Sequence, residues 1–208
     1  MFYKPMVKIF IITPGIFLGV LFSQTFSEST PVHTYSIVAF DEETGELGVA
    51  VQSHWFSVGF LVPWAKAGVG AVATQSFVKV DYGPEGLNRM EHGQSAEEAL
   101  TSLLAEDDGE AVRQVAMIDV KGSVAAHTGT KCIYAAGHQI GKNYSVQANL
   151  MEKETVWPSM ANAFERSNGD LAEKMMAALE AAEAEGGDIR GKQSAAMLIV
   201  SGNPTGIP

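Results

Sequence analysis

The chain has 208 residues, with 14 Lys and Arg against 24 Asp and Glu and a net charge of −10. So acidic a chain repels nucleic acid and anionic lipid surfaces, which excludes both as expected partners. Its single cysteine, Cys132, excludes an internal disulfide, so the fold must rest on its apolar core, and an inert, buried thiol is the expected role.

Lys4 and Lys8 open the chain, and from Ile9 to Phe22 no charge occurs. That run is shorter than the roughly 20 residues that span a bilayer, and it matches the apolar region of a signal peptide. Pro14 and Gly15 in mid-run argue against an anchor or a buried helix. Ser23, Thr25, Ser27 and Ser29 offer several small residues for cleavage. The expected organisation is a signal peptide at 1–27, a short leader at 28–33 and one domain at 34–208. It implies a secreted or periplasmic protein with no stable membrane span after cleavage. The segment removed carries basic charge only, so the mature chain is more acidic still.

Beyond residue 34 the elements come in order. Residues 35–40 and 47–53 are apolar, β-favouring runs around the polar turn Asp41-Glu42-Glu43-Thr44-Gly45-Glu46, the pattern of an antiparallel hairpin. Residues 69–75 form a third strand of small side chains, which leaves room for close packing. A helix follows Pro84. Another begins at Ser95, where Ser95-Ala96-Glu97-Glu98 is a capping box. Strands at 112–119 and 123–129 flank Lys121-Gly122, and 144–150 is a further strand. Helices at about 156–167 and 170–185 are separated by Asn168-Gly169, and Gly186-Gly187 ends the second. Residues 193–200 make the last strand.

Several strands are apolar on both faces, notably 37–40, 116–118 and 195–200, so both faces require cover. Antiparallel hairpins with helices between them point to an α+β fold, two packed sheets with helices outside in a four-layer αββα sandwich. A three-layer α/β fold is the alternative, against which the hairpins argue.

Common catalytic signatures are absent: there is no Gly-x-Ser-x-Gly elbow, phosphate-binding loop, dinucleotide fingerprint or His-Glu-x-x-His. The five histidines show no helical i, i+4 pairing, so neither a metal nor another cofactor is expected. What remains is Thr34, at the head of the first strand and shortly after the export segment. A threonine hydroxyl needs a base to act as a nucleophile. If the threonine is the first residue of the chain, its own α-amine, with a pKa of about 7.7–8.0, can serve. Alone, a threonine at a strand start more often does ordinary strand work.

Thr34-Tyr35-Ser36-Ile37-Val38-Ala39 followed by Thr44-Gly45-Glu46-Leu47-Gly48-Val49-Ala50-Val51 resembles the opening of the domain-of-unknown-function family 1028. The stretches 62–75 and 82–87, Ala125-Ala126-His127-Thr128-Gly129, 144–150 and 186–196 are similar to the same family in the same order. The family is grouped with the Ntn (N-terminal nucleophile) hydrolases. The resemblance therefore implies the αββα sandwich and an amide-cleaving activity on a small-molecule amide, with Thr34 as nucleophile. It implies Asn149 and Gln147 as candidate oxyanion-hole amides, and Ser53 as a group that orients the α-amine. Asp188, Arg190 and Ser194 stand beside two glycines as candidate substrate-binding residues; Asp188 and Arg190 equally fit a mutual pair. Lys66 reads as solvated and His127 as packed in the sheet.

Three departures from the family pattern stand out. Members often begin at Met-Thr, whereas here Thr34 must be freed by cleavage at His33–Thr34 or stay internal. Ala148 replaces a glycine before Asn149. The chain stops at Pro208, where relatives continue. The alternative function is a non-catalytic binding or surface-assembly module on the same sandwich. Homo-oligomerisation is compatible with either, and no residue marks it.

Overall fold

The computed structural model of the chain describes residues 31–32 and 34–205. The expected signal peptide and the first residues of the leader lie outside them. The chain begins with β1 (Pro31–Val32), β2 (Thr34–Phe40), β3 (Glu46–Ser53), β4 (Pro63–Lys66) and β5 (Gly70–Phe77). Helices α1 (Tyr82–Glu91) and α2 (Ala96–Ala105) follow, then β6 (Arg113–Asp119), β7 (Val124–Thr128), β8 (Gly137–Gly141) and β9 (Tyr144–Asn149). Helices α3 (Val156–Arg166) and α4 (Leu171–Ala184) precede the last strand, β10 (Ser194–Ser201).

The fold is mixed α+β, with two antiparallel sheets and four helices. One sheet runs β10-β3-β2-β9-β8, so β2 is its central strand. The other runs β1-β5-β6-β7, with β4 also on β5. Alternate residues of each strand face opposite sides, and three apolar clusters result. Tyr35, Ile37 and Ala39 of β2 and Val146 of β9 pack under Met160, Leu171, Met175 and Leu179 of α3 and α4. Val72, Val115 and Met117 of the second sheet pack under Tyr82, Leu87, Ala99 and Leu103 of α1 and α2. Val38, Leu47, Val49 and Val51 meet Ala71, Ala73, Ala116 and Ile118 where the sheets face each other.

Local chemistry places the helices as the sequence leads one to expect. Ser95 accepts from the Glu98 N–H and the Glu98 carboxylate accepts from the Ser95 N–H, which closes the capping box of α2. Asp170 and Glu173 form a second box on α4. Asp119 accepts from the N–H groups of Ala96, Lys121 and Ser123, tying the start of α2 to the β6–β7 turn. Gly122 in that turn takes φ +81°, which a side chain would resist. A Cβ on Gly48 would meet Met175 Cε at 2.5 Å, so that glycine admits α4 to the face of β3.

Four elements differ from the expected pattern, the first being β1, a strand within the stretch read as a leader. β4 and β8 were not anticipated: β4 begins with proline and lies on an edge, and β8 (Gly-His-Gln-Ile-Gly) has too few β-favouring residues to announce itself. β10 is the edge of its sheet and is only partly covered, with Leu198 40% exposed, although its sequence reads as covered on both faces. Residues 37–39 and 116–118 are fully covered, as expected. Apolar content states what a strand tolerates; its position in the sheet decides what reaches it.

Candidate functional site

One row across the β2 sheet collects several of the residues singled out in the sequence. Ser194, Ser53, Thr34 and Asn149 are successive register partners on β10, β3, β2 and β9. Thr34, Ser53 and Asn149 are fully buried. The Thr34 hydroxyl donates to Ser53 Oγ at 3.2 Å. The Thr34 carbonyl accepts from Asn149 Nδ2 at 3.4 Å and from Gln75 Nε2 at 3.3 Å. Central position on a sheet, with a neighbour on each side, is what fixes the orientation of a threonine at a strand head.

Behind this row the layer between the sheets is polar. Gln75 Nε2 donates to Gln114 Oε1 at 2.7 Å, and Asn149 Nδ2 donates to the same oxygen at 2.9 Å. Gln114 Nε2 reaches Thr128 Oγ1, the Gly137 carbonyl and the Ala148 carbonyl at 2.9, 3.1 and 2.9 Å. Ser36 donates to Gln75 Oε1 at 2.6 Å and accepts from Gln147 Nε2 at 2.6 Å. Ser145 donates to Gln147 Oε1 at 3.0 Å. These amides and hydroxyls are neutral, and each bond offsets part of the cost of burying its members. At the outer end Thr128 Oγ1 meets His138 Nδ1 at 2.8 Å. Burial, then neighbouring His127, lowers the His138 pKa and keeps its ring neutral at ordinary pH.

The structure separates the other candidates. Gln147 is one step deeper on β9, opposite Ser36, and its amide nitrogen is spent there, away from the Thr34 hydroxyl. Ser194 donates to the Trp55 carbonyl at 2.6 Å and accepts from the Val58 N–H at 3.0 Å, which fastens the loop after β3. Asp188 is nearly fully buried and pairs with Arg190, whose Nε and Nη2 donate at 3.0 and 2.6 Å. Asp188 also accepts from the His54 N–H at 3.4 Å, so the pair clamps the 188–193 segment to the end of β3. Lys66 is half-exposed and bridges Glu91 at 2.6 Å. His127 Nε2 contacts the Glu110 carbonyl at 2.9 Å. Burial raises the Cys132 pKa, and its thiol donates to the Arg113 carbonyl at 3.3 Å. That is the setting of an inert thiol.

Sequence reasoning passed over Ser36, Gln75 and Gln114. A signal existed: each is an uncharged polar residue at the polar end of a strand whose remaining stretch is mostly apolar. Gln52, His54 and Ser76 also escaped notice. Both Gln52 amide atoms and His54 Nδ1 are buried and make no hydrogen bond among the described residues. Ser76 has φ +69°, in the left-handed region that a serine seldom adopts.

Pro31 and Val32, just ahead of Thr34, pair antiparallel with Phe77 and Ser76 of β5. The chain therefore leaves one sheet and enters the other at Thr34. A groove of about 1210 Å³ lies at the opposite end of the sandwich, lined in part by Trp64, Met90, Lys121 and Ser201. Its Lys66 and Glu91 neutralise each other, and it is remote from the Thr34 row. Among the described residues no group of acids, His and Cys could hold a metal ion. No helix among them is long and apolar enough to cross a membrane.

No protein of curated function matches the chain. Among solved structures it is similar to protein SPO2555 from Silicibacter pomeroyi, with 31% identity and a TM-score of 0.75. The likeness covers 81% of this chain and 76% of that one, and that protein is assigned to DUF1028. The model of the same family, described as a family of unknown function, matches residues 34–207 and so begins at Thr34. The chain thus belongs to the DUF1028 family.

Proposed function

We propose that this protein is an exported amidohydrolase of the N-terminal-nucleophile kind, in which Thr34 becomes the nucleophile once the bond before it is cut. The observation that carries this reading is the position of Thr34: first residue of the central strand, flanked in register by Ser53 and Asn149. The family match starts at the same residue. Helix pairs on the outer faces of two packed sheets give the αββα order of the Ntn hydrolases, a fold-level analogy.

The network behind Thr34 consists of neutral amides and hydroxyls, none of them a base at pH 7. The α-amine exposed by cleavage supplies the missing base. In the reaction, Thr34 Oγ attacks the amide carbonyl of a substrate and its proton passes to the α-amine. The C–N bond breaks as that proton moves to the leaving amine, leaving an ester on Thr34. Water, deprotonated by the same amine, releases the acid and restores the hydroxyl. Ser53 Oγ, 3.2 Å from Thr34 Oγ1, holds the hydroxyl in place. Asn149 Nδ2 supplies a donor for the oxyanion by exchanging its 3.4 Å bond to the Thr34 carbonyl for the substrate, while Gln114 Oε1 keeps the other N–H.

Thr34→Ala in the processed chain should abolish amide hydrolysis, with urea and thermal unfolding changed by about 1 kcal/mol or less. Activity that survives the change places the nucleophile elsewhere. Mass and N-terminal sequence of the protein recovered from the medium or periplasm should show Thr34 as the first residue. The burial of Thr34 and the pairing of Pro31–Val32 favour a second reading, a non-catalytic binding or assembly module. A mature chain that keeps residues 29–33 supports that second reading and removes the first.

A further inference from the structure

We infer that the freed site takes an extended peptide, bound as an added strand on the edge of β5, with the acyl side of the scissile bond where Pro31–Val32 lie; this rests on Thr34 as nucleophile.

β5 uses one edge for β6 from Gly70 to Ser76. On its other edge β4 covers only Gly70–Ala73. Phe77 and Ser76 on that edge are paired by Pro31 and Val32. The leader then reaches Thr34 after one residue. The uncut chain thus carries a peptide, in extended form, whose carbonyl end is joined to the nucleophilic residue itself. Such a segment is a tethered stand-in for the acyl side of a substrate.

Cleavage before Thr34 leaves a carboxylate product whose hold on the domain is strand pairing. Its departure exposes backbone N–H and C=O groups on a short length of sheet edge. Such an edge accepts a new strand through main-chain bonds, with modest demands on side chains. Ser76 adds a second, independent observation. It stands opposite Val32, is fully buried, and its hydroxyl faces the Cys132 thiol. Its left-handed φ of 69° breaks the regular strand where the leader docks.

The test uses the chain beginning at Thr34, released by cutting a carrier fusion directly before that residue. All three apolar clusters lie within it, and circular dichroism and a melting curve check the fold. In the Thr34→Ala form, acetyl-Thr-Pro-Val-His carboxylate is titrated by calorimetry and followed by amide NMR. Binding is expected, with the largest shifts at Ser76 and Phe77, and N-methylation of the valine and histidine nitrogens should weaken it about tenfold or more. No binding, or shifts confined to other regions, overturns the inference. With Thr34 intact, the aminocoumarin amide of the same peptide should show a kcat/KM at least about tenfold above that of acetyl-histidine aminocoumarin amide. Equal hydrolysis of the two overturns the peptide site and leaves Thr34 as nucleophile. Peptide binding at β5 without hydrolysis of either amide upholds the strand site and removes the nucleophile.

Discussion

The layer between the two sheets has two halves with different chemistry. Toward the β2–β3 turn it is dry: Val38, Leu47, Val49 and Val51 meet Ala71, Ala73, Ala116 and Ile118. Toward Thr34 the same strands turn polar, and Ser36, Gln75, Gln114, Gln147 and Asn149 replace the aliphatic set at equal burial. Each half excludes water. The dry half gains by burying apolar area and asks little of geometry. The polar half gains little net energy from its bonds and loses heavily if one member is removed. A protein that needed only stability could have continued the aliphatic packing. The polar half instead fixes the angles of the groups around Thr34, which is what a site requires.

Substitutions in each half should behave differently. Gln114→Leu is expected to have the largest effect. It removes partners from Gln75, Asn149 and Thr128 and from the Gly137 and Ala148 carbonyls, and should cost about 4 kcal/mol. Urea unfolding would measure it, and hydrolysis by the processed chain should fall with it. A stable Gln114→Leu protein would show that the network matters less than its geometry indicates.

In the dry half, Ile118→Ala should cost about 3 kcal/mol through a cavity, with kcat/KM at permissive temperature close to that of the parent. Loss of activity in step with Gln114→Leu would erase the distinction between the halves.

A third region sharpens the contrast, because it uses a charge. Asp107, beneath α1 and α2, is buried beside Arg113 and Tyr82. Burial alone would raise its pKa, but hydrogen bonds from Arg113 and the Gly109 N–H outweigh that and hold it at about 2. A folded pKa below the ordinary 3.8 means that the stabilisation is full above 3.8 and is lost as pH falls through about 2. Asp107→Asn should therefore cost about 2 kcal/mol at pH 7 and flatten the acid limb of the stability curve. An unchanged acid limb would mean that other carboxylates carry it.

The smallest effect concerns His138, where the polar network reaches its outer end. Its folded pKa lies below the free value of 6.5, so the neutral ring is the one the fold favours. Its contribution is complete above pH 6.5 and is lost as pH falls through the lowered pKa. Stability should decline gently below pH 6.5, and His138→Gln should remove that decline. A variant with the parental pH profile would disconnect His138 from the network.

Much of this architecture was legible in the residues themselves. The capping box at Ser95, the turn at Gly122 and the apolar runs of β2, β3 and β6 are local signals, written within a few positions of where they act. The edge strands β4 and β8 were not legible, because an edge needs little propensity and borrows its order from a neighbour. In the site, Thr34 announced itself by standing at a strand head, shortly after the uncharged apolar run at 9–22. A separation of 115 positions along the chain hides the adjacency of Thr34 and Asn149, which only strand pairing creates.

What the sequence determined by itself was the set of helices and central strands, the acidic surface and the residue where the family's shared chain begins. What only the tertiary structure decided was which polar residues meet. Gln75 and Gln114 come from one sheet, on β5 and β6, and Asn149 and Gln147 from the other, both on β9. Stacking the sheets face to face turns these four amides into one network. The reason is physical: a buried amide must find a partner, and Gln75, Gln114 and Asn149 find partners across the space between the sheets, while Gln147 finds Ser36 on the neighbouring strand.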